Sequence, residues 1–495
     1  MPFISLMDSA ENKQNGYAHV LKYTGIFGGV QGLNILIGLV RSKLVALILG
    51  PAGMGLASLL NTIVNFVSQA TNLGISFSAV RHLSEIFDSG DQRRIAAYVK
   101  TVRSWSIVAA LAGAAVCMGA APLLAGYAFG GEGHAWQVMA LAPTVAAMAL
   151  TGGETAILKG ARRLRELAKT QVMLVVLSLV VAVPTYLLMG VSGIIPVITL
   201  TALAALGVTA RFSLRLYPLS LRGARRTLGE GTDMVRLGLA FIMSGVFGSG
   251  AEMIVRSFLN TAGGLDTVGL YNAGYILTVT YAGMVFTAME TDYFPRLSTV
   301  NHDTEAVNTA ANRQIEVTLL IIAPMLTFML AALPWLIPLL YSGKFTPVTG
   351  MAQAAVLAMF AKAFTTPLEY ITLAKGHSKA YLALEFAFDA AFAILVIMFF
   401  RRWGLTGTGF GLLAAYMANT VMIYLYAHIR YKYRVSKKVL TYAGIQFPIG
   451  VAAYACTFID DTLIYIATEA AATIASTAMS LYILYKTHRH GTRSK

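Results

Sequence analysis

Two arginines occupy matching positions of a short internal repeat, each inside a strongly apolar stretch. The first lies in Val-Arg-Ser-Lys-Leu at residues 40–44, and the second lies in Val-Arg-Ser-Phe-Leu at residues 255–259. With a one-residue shift, the similarity extends to three further pairs: Gly50 with Gly264, Gly55 with Gly269, and Leu56 with Leu270. An arginine at the centre of a membrane helix costs about 2.5–3.5 kcal/mol on insertion scales, so it is rarely there without a use. The repeat therefore predicts two half-proteins that face each other around an anionic group.

Polar residues recur every three or four positions around both arginines, which places them on single helix faces. The candidate substrate-binding residues are Gln31, Asn34, Arg41, Lys43, Asn61, Asn65, Glu252, Arg256, Tyr271 and Tyr275. A single amide often only joins two helices. Here four predicted spans (1, 2, 7 and 8) each carry a polar stripe, and together the stripes favour a hydrated cavity. The arginines could instead reach the outer interface, although an interfacial anchor need not share a face with Gln31 and Asn34. Glu252 precedes Arg256 by four residues and is expected to hold its side chain.

An acidic cluster lies in the second half of the chain. Glu385 and Asp389 are one helical turn apart, while Lys362 and Glu369 share a face of the preceding apolar stretch. Two carboxylates at this spacing repel each other unless a cation, a proton or a lysine intervenes. The four residues predict either a coupling site for a proton or sodium ion, or an internal ion-pair network. We predict no resident cofactor and no metal site, because the eight histidines lack ligand spacing.

The elements that position these residues are membrane spans. The chain is 57% hydrophobic and 12% charged, and its mean hydropathy of +0.66 is too high for a soluble globular protein. Since a span needs about 20 apolar residues, we predict fourteen spans and favour that number over twelve, although Pro448 and Glu469 interrupt the last two. They are residues 23–49, 54–78, 100–130, 136–158, 169–190, 192–217, 235–262, 268–292, 313–341, 349–374, 381–400, 404–429, 439–459 and 462–485.

The net charge of +15 would suggest nucleic acid in a soluble protein, but its placement indicates membrane topology. Lysines and arginines concentrate in alternate loops, one of which runs from Arg81 to Arg103, and the opposite loops hold only Lys344, Arg401 and Arg402. Cytoplasmic loops carry the basic excess. We therefore predict a multi-pass protein with both termini in the cytoplasm and no nucleic-acid partner.

The repeat also predicts the domain organisation. Residues 20–217 form an N-lobe of spans 1–6, 218–234 a cytoplasmic linker, 235–429 a C-lobe of spans 7–12, and 439–485 an appended pair, spans 13 and 14. Because six spans precede the second copy, both copies have the same orientation, as in parallel-repeat transporters. The predicted fold class is an all-α polytopic membrane protein with two six-helix lobes and a C-terminal helix pair. The outer loops are short, and neither a nucleotide cradle nor a nucleophile–base pair is recognisable, so we predict that it is not an enzyme.

One stretch resembles a known family. Residues 41–56 read Arg-Ser-Lys-Leu-Val-Ala-Leu-Ile-Leu-Gly-Pro-Ala-Gly-Met-Gly-Leu, which is similar to the first-helix signature of Wzx-type O-antigen flippases (O-antigen translocases) of the multidrug/oligosaccharidyl-lipid/polysaccharide exporter superfamily. Weaker similarities are at residues 72–74, 294–298, 344–346 and 374–376. The resemblance covers about residues 20–430. Spans 13 and 14 depart from it, since many relatives have twelve spans, whereas the superfamily's lipid II flippases have fourteen.

The resemblance implies a V-shaped bundle in the bacterial inner membrane that moves undecaprenyl-diphosphate-linked oligosaccharide outward by alternating access, for O-antigen or lipopolysaccharide biosynthesis. It implies membrane lipids and the pathway's polymerase and chain-length proteins as partners. The residues agree: Arg41, Lys43 and Arg256 provide cations for a diphosphate, and the amides and tyrosines suit a sugar chain. The alternatives are a flippase for lipid II or another polyprenyl-linked glycan, or a cation-coupled drug antiporter. The antiporter is less favoured because spans 1 and 2 contain no acid.

Overall fold

The structure is a computed structural model that describes the backbone of residues 3–88, 90–131, 133–219 and 232–493. Side chains are described for residues 32–33, 35–76, 78–80, 82–87, 90–131, 133–163, 165–219, 242–287, 289 and 293–486. Most of the predicted linker, 218–234, lies outside these residues. Nearly all of the described backbone is helical, and it contains no β-strand, as the sequence predicts.

Fifteen α-helices follow one another along the described chain. They are α1 Phe3–Thr71, α2 Ile75–Asp88, α3 Gln92–Gly119, α4 Ala121–Phe129, α5 Ala135–Met139, α6 Ala142–Gly160, α7 Leu164–Met189, α8 Ile194–Leu216, α9 Thr232–Tyr275, α10 Tyr281–Thr299, α11 Thr304–Leu340, α12 Thr349–Ala374, α13 Ser378–Tyr431, α14 Lys437–Cys456 and α15 Thr462–Arg493. Short 3₁₀ segments occupy Gly190–Gly193 and Gly343–Val348, and a π-helical turn occupies Ile276–Thr280.

Nine helical stretches of the described chain are long and apolar enough to cross a membrane. Three of them contain a break and hold two predicted spans each: the first at Gly50 in α1, the second at the 3₁₀ turn between α7 and α8, and the third at Trp403 and Gly404 in α13. The nine stretches thus cover every predicted span except 7 and 8, which fall on α9 and α10. Two predicted boundaries are wrong: α1 ends at Thr71, inside predicted span 2, and α3 ends at Gly119, inside predicted span 3. The protein is an all-α, multi-pass membrane protein.

The internal repeat is visible in the backbone. Gly50 breaks α1 with φ +66° and ψ −174°, and Gly264 breaks α9 with φ +77° and ψ 176°. A positive φ of this kind is strained for any residue with a Cβ, so both breaks need glycine. The two copies of the repeat therefore bend their helices at equivalent positions and in the same way.

The two copies also touch through a second pair of glycines. A Cβ added to Gly55 would lie 1.9 Å from the carbonyl oxygen of Leu265, and a Cβ added to Gly269 would lie 1.9 Å from the carbonyl oxygen of Pro51. Each glycine thus packs on the backbone that follows the other copy's break. Only residues without a side chain permit this reciprocal approach of two helices.

Contacts divide the chain into two compact units. Unit 1 consists of Met1–Ile48, Val67–Leu123 and His134–Ile242, and unit 2 consists of Leu49–Phe66, Leu124–Gly133 and Met243–Lys495. Unit 1 has a core where α2, α3 and α6 meet, which includes Leu83, Ile95, Val102 and Ile157. In unit 2, α12 is the most buried spanning helix and packs against α11 and α13, and α14 and α15 pack against α11. The lobe boundaries at 20–217 and 235–429 stay predictions.

A buried ion pair ties three helices of unit 1 together. Arg103 of α3 donates from Nε to Glu154 of α6 at 2.8 Å, from Nη2 to Ser213 of α8 at 3.2 Å, and from Nη1 to the carbonyl oxygen of Tyr217 at 2.8 Å. The side chains of Arg103 and Glu154 are only 4% and 11% exposed. The sequence-based assignment of Arg103 to a basic inner loop is therefore wrong, because its guanidinium neutralises a carboxylate inside the helix bundle.

We expect Arg103→Ala to lower the thermal unfolding midpoint of the detergent-solubilised protein strongly. Removing one partner leaves Glu154 buried and uncompensated, which typically costs about 3–5 kcal/mol. The control is Arg94→Ala, since Arg94 pairs with Asp91 while 77% of its side chain is exposed and such surface pairs contribute about 0–1 kcal/mol. Equal midpoints for the two variants would contradict the structural role of Arg103.

Candidate functional site

Arg256 is the centre of a buried polar network in unit 2. It lies on α9 with 7% of its surface exposed. Its Nη1 donates to Glu252, one turn earlier on α9, and to Thr62 Oγ1 at 3.1 Å, while Nη2 donates to Asn272 Oδ1 at 3.5 Å. The prediction that Glu252 holds Arg256 across one helical turn is confirmed.

Two tyrosines close one side of this network. Tyr275 donates from its hydroxyl to Glu252 Oε1 at 3.4 Å, and its ring centroid lies 5.7 Å from Arg256 Cζ, within the range of a cation–π contact. Tyr271 is 1% exposed, and its ring centroid is 5.8 Å from that of Tyr275. The π-helical turn begins directly after Tyr275, and such turns often mark functional sites because they redirect side chains.

The composition of this network would let an anionic ligand replace Glu252 as the partner of Arg256. Arg256 Nε has no hydrogen-bond partner among the described residues, and 37% of the Glu252 side chain is exposed. A buried cation must keep an anionic partner, but that partner can be the Glu252 carboxylate or an incoming phosphate. Arginine suits this exchange because its planar fork binds both groups in the same geometry.

The predicted amides lie on the second part of α1, beyond the break at Gly50. Asn61 and Asn65 are both exposed, and they belong to unit 2, as Arg256 does. Asn61 donates to the carbonyl oxygen of Ala57 in its own helix at 2.8 Å. Its amide oxygen is thus left to accept from other groups. The side chains of Gln31 and Asn34 lie outside the described residues.

Arg41 and Lys43 lie in unit 1. Arg41 is exposed and donates from Nη1 to Ser178 Oγ at 3.4 Å, and Lys43 is half-buried. Arg41 is therefore a solvent- or lipid-accessible cation, whereas Arg256 is an enclosed one. That the two arginines bind one anion stays a prediction.

The acidic cluster belongs to unit 2. Glu369 accepts a hydrogen bond from Asn419 Nδ2 at 3.0 Å. The Nζ of Lys362 lies 5.5 Å from the ring centroid of Phe286 and 5.9 Å from that of Tyr416. Lys362 is thus placed among aromatic faces, where a desolvated ammonium is stabilised.

The two acids on α13 differ in their surroundings. Glu385 lies within electrostatic reach of Lys362, while Asp389 lies within reach of both Glu385 and Glu252. Asp389 Oδ2 is buried without a hydrogen-bond partner among the described residues. A Cβ added to Gly248, one turn before Glu252 on α9, would lie 3.8 Å from that atom. Asp389 is therefore the member of the cluster that faces α9.

Sequence reasoning missed two ligands of Arg256. Thr62 follows the predicted amide Asn61, and Asn272 lies between the predicted tyrosines, but neither was chosen because only the tertiary fold brings them to the guanidinium. Arg103 and Glu154 were missed as a pair, although Glu154 is the only acid of its predicted span, and an acid and a base in adjacent apolar spans are a usable signal.

The fold is that of transporters of the MOP superfamily. The lipid II flippase MurJ in an inward closed conformation superposes with a TM-score of 0.69 at 13% identity, covering 93% of this chain and 99% of that one. An inward-facing multidrug resistance MATE family transporter superposes at 0.67 with 17% identity, covering 81% and 94%. A MOP superfamily transporter from Pyrococcus furiosus, described by its reversed binding-pocket polarity, superposes at 0.58 with 16% identity, covering 83% and 94%.

The sequence itself identifies the family. Residues 44–349 match the family model described as polysaccharide biosynthesis protein, and this match covers more than half of the chain. The chain therefore belongs to the polysaccharide biosynthesis protein family. A comparison with curated proteins gave no match.

Proposed function

We propose that this protein is a flippase that moves undecaprenyl-diphosphate-linked oligosaccharide, an O-antigen or related surface polysaccharide unit, across the bacterial inner membrane by alternating access. The observation that carries the proposal is the buried Arg256, which is held by a partly exposed carboxylate in a chain of the polysaccharide biosynthesis family. A diphosphate displaces Glu252 from the guanidinium and so keeps the cation neutralised throughout the transport cycle.

The remaining candidates follow from the chemistry of the cargo. Arg41 and Lys43 supply further cations for phosphate oxygens. The exposed amides Asn61 and Asn65 suit sugar hydroxyls, which both donate and accept hydrogen bonds. Tyr275 donates to Glu252, and its ring face contacts Arg256. Its contacts therefore change when phosphate replaces Glu252.

The proposal is tested with purified protein in liposomes that contain a fluorescent undecaprenyl-diphosphate oligosaccharide. Leaflet exchange is measured by a membrane-impermeant reagent that quenches the label only on the outside. We expect exchange with the wild-type protein and none in protein-free liposomes. Equal exchange in both would contradict the proposed function.

A lipid II flippase is the second candidate. The likeness to MurJ extends over 93% of this chain and 99% of that one, and this extent favours it. The same liposomes loaded with fluorescent lipid II distinguish the two candidates. The lipid that the protein prefers should be exchanged and should compete with the other lipid when it is added unlabelled, whereas the other lipid should not compete. A cation-coupled drug antiporter would instead move an organic cation and leave both lipids in place.

Both termini are proposed to lie in the cytoplasm, and the polymerase and chain-length proteins of the same pathway are proposed to receive the product. Basic residues concentrated in alternate loops support this orientation. A reporter fused to either terminus, active only in the cytoplasm, checks it directly.

We further propose that Glu385 and Asp389 couple transport to a proton or sodium ion. Asp389 is the unpartnered carboxylate that faces α9, and changing its charge alters the field at Glu252 and Arg256.

We expect the double variant Glu385→Gln and Asp389→Asn to keep binding the lipid-linked sugar while its transport no longer responds to an imposed ion gradient. The physical reason is that amides keep the shape of the acids but carry no negative charge to hold a cation and do not titrate. The control is Glu316→Gln, an acid of α11 that hydrogen-bonds Ser436 at 3.1 Å. If transport by the double variant still depends on the ion gradient as in the wild type, the two acids belong to an internal ion-pair network and not to a coupling site.

A further inference from the structure

An apolar groove of about 940 Å³ lies between α9 and α13, with Phe66 of α1 also in its lining, within unit 2. Its walls are small and aliphatic, and they include Gly250, Ala251 and Ile254 on α9 and Ala390, Ala393 and Ile397 on α13. The acidic cluster contributes Asp389 alone to its lining, and the candidate cation site around Arg256 contributes nothing to it.

Aromatic pairs join the two helices at both ends of the groove. The ring centroids of Phe247 and Phe386 are 4.8 Å apart near one end, and those of Phe258 and Phe400 are 5.9 Å apart near the other. Between these pairs, glycine has no side chain and the alanine methyl groups are too short to fill the space. The residue types of the two helices therefore explain the groove. The aromatic residues at its ends hold the helices apart, and the small residues between them leave the space unfilled.

The two ends of the groove have opposite charge. Arg401 and Arg402 line the end that the sequence predicts to be outermost, and Asp389 lines the other, about 18 Å away along the helix at 1.5 Å per residue. The Cζ of Arg401 lies 5.2 Å from the ring centroid of Phe258. Both arginines are exposed, and among the described residues neither has a carboxylate partner. An amphipathic anion therefore fits in one direction only, with its charge at the arginines.

We propose that this groove is a second lipid site, separate from Arg256: it seats the hydrocarbon chain of a polyprenyl diphosphate while Arg401 and Arg402 bind the diphosphate once the lipid has left Arg256 on the outer side. Two adjacent arginines without a carboxylate partner among the described residues match two phosphoryl groups, whereas an ordinary phospholipid offers one. Because membrane hydrocarbon is as apolar as the groove, the chain itself adds little affinity, and the arginines supply the selectivity. This assignment rests on the proposed function for the choice of a polyprenyl lipid, and it adds where on the protein that lipid is held.

The test is photo-crosslinking of the full-length protein in lipid nanodiscs. The probe is a polyprenyl diphosphate without sugar that carries a diazirine on its chain, and the comparison probe is phosphatidylglycerol with a diazirine on one acyl chain. Labelled positions are read by mass spectrometry. We expect the polyprenyl probe to label the α13 wall between Asp389 and Met398, and unlabelled polyprenyl diphosphate to compete with it.

Two sets of variants locate the site. Ala390→Trp fills the groove, and its control is Val421→Trp, at a position on α13 that is 56% exposed and outside the groove. The double variant Arg401→Ala and Arg402→Ala removes the anion contacts, and its control is Lys344→Ala, another exposed base predicted on the same side. We expect about tenfold weaker labelling for the first member of each set and no change for the controls.

Labelling that is confined to the groove and reduced by the two site variants supports the proposal. Labelling spread over the membrane-facing helices, or equal labelling by phosphatidylglycerol, overturns it, since the groove then only receives bulk lipid. The assay needs no transport. A protein that binds the probe in the groove but fails to exchange oligosaccharide lipids therefore contradicts the proposed function alone, and exchange without groove labelling contradicts this inference alone.

Discussion

Replacing Arg256 with alanine is expected to abolish exchange of the lipid-linked oligosaccharide in proteoliposomes. The variant removes the buried cation that would bind the diphosphate and leaves Glu252 without its partner. Because 37% of the Glu252 side chain is exposed, water offsets part of the roughly 3–5 kcal/mol that a fully buried, unpaired charge costs. Arg256→Lys is expected to keep partial activity, because the charge survives but one ammonium cannot reach both Thr62 and Asn272 as the guanidinium does. Initial exchange rates at equal protein abundance give the measurement.

A double variant separates function from folding. Glu252→Gln combined with Arg256→Gln removes both charges, so no uncompensated ion remains and the protein should fold to near wild-type abundance. We expect this variant to stay inactive. Normal exchange by the double variant would place the anion site elsewhere. Arg41→Ala is a useful companion, since Arg41 is exposed and its removal leaves no buried charge.

Replacing Gly269 with alanine is expected to force the two copies of the repeat apart and stop transport. The new Cβ would stand 1.9 Å from the carbonyl oxygen of Pro51, and neither backbone can relieve that overlap by a rotamer change. Overpacking of this kind costs about 1–3 kcal/mol and occasionally more. We expect a lower thermal midpoint and, with spin labels at Ala52 and Asp266, a longer distance between the two segments. Gly55→Ala should act alike, by the reciprocal contact with Leu265.

The matched control is Gly444→Ala. Gly444 lies inside α14, and a Cβ there would meet nothing within 4 Å, so the change should be neutral or slightly stabilising. Unchanged spin-label distances in Gly269→Ala would contradict the close approach of the two backbones at Gly55 and Gly269. Wild-type transport by both Gly269→Ala and Gly55→Ala would show that this approach is not needed for function.

The spans were predictable because their signal is local. About 20 consecutive apolar residues define a span whatever it packs against, and the nine apolar stretches of the described chain confirm most of the predicted segments. The positive φ angles at Gly50 and Gly264 agree with the internal repeat, because the two glycines occupy matching positions in the sequence. The Glu252–Arg256 pair was predictable for the same reason, because one helix places residues four apart side by side.

The remaining contacts of the site depend on distant residues. Thr62 reaches Arg256 across 194 positions of the chain, and Arg103 meets Glu154 across 51. No periodicity encodes which polar residue of one span faces which residue of another, because many helix rotations satisfy the same apolar pattern. Arg103 was consequently misassigned to a loop, although its charge was correctly recognised.

The sequence by itself determined the membrane class, the approximate spans, the duplicated arginine–glycine segments and the pairing within one helix, since these follow from composition and spacing. Only the tertiary structure decided that Gly55 and Gly269 pack on each other's backbone, that Arg256 is enclosed by Thr62 and Asn272, and that α9 and α13 leave a groove between aromatic ends. The physical reason is that local order follows from hydropathy and helix geometry, whereas packing depends on the exact shapes that distant side chains present to one another.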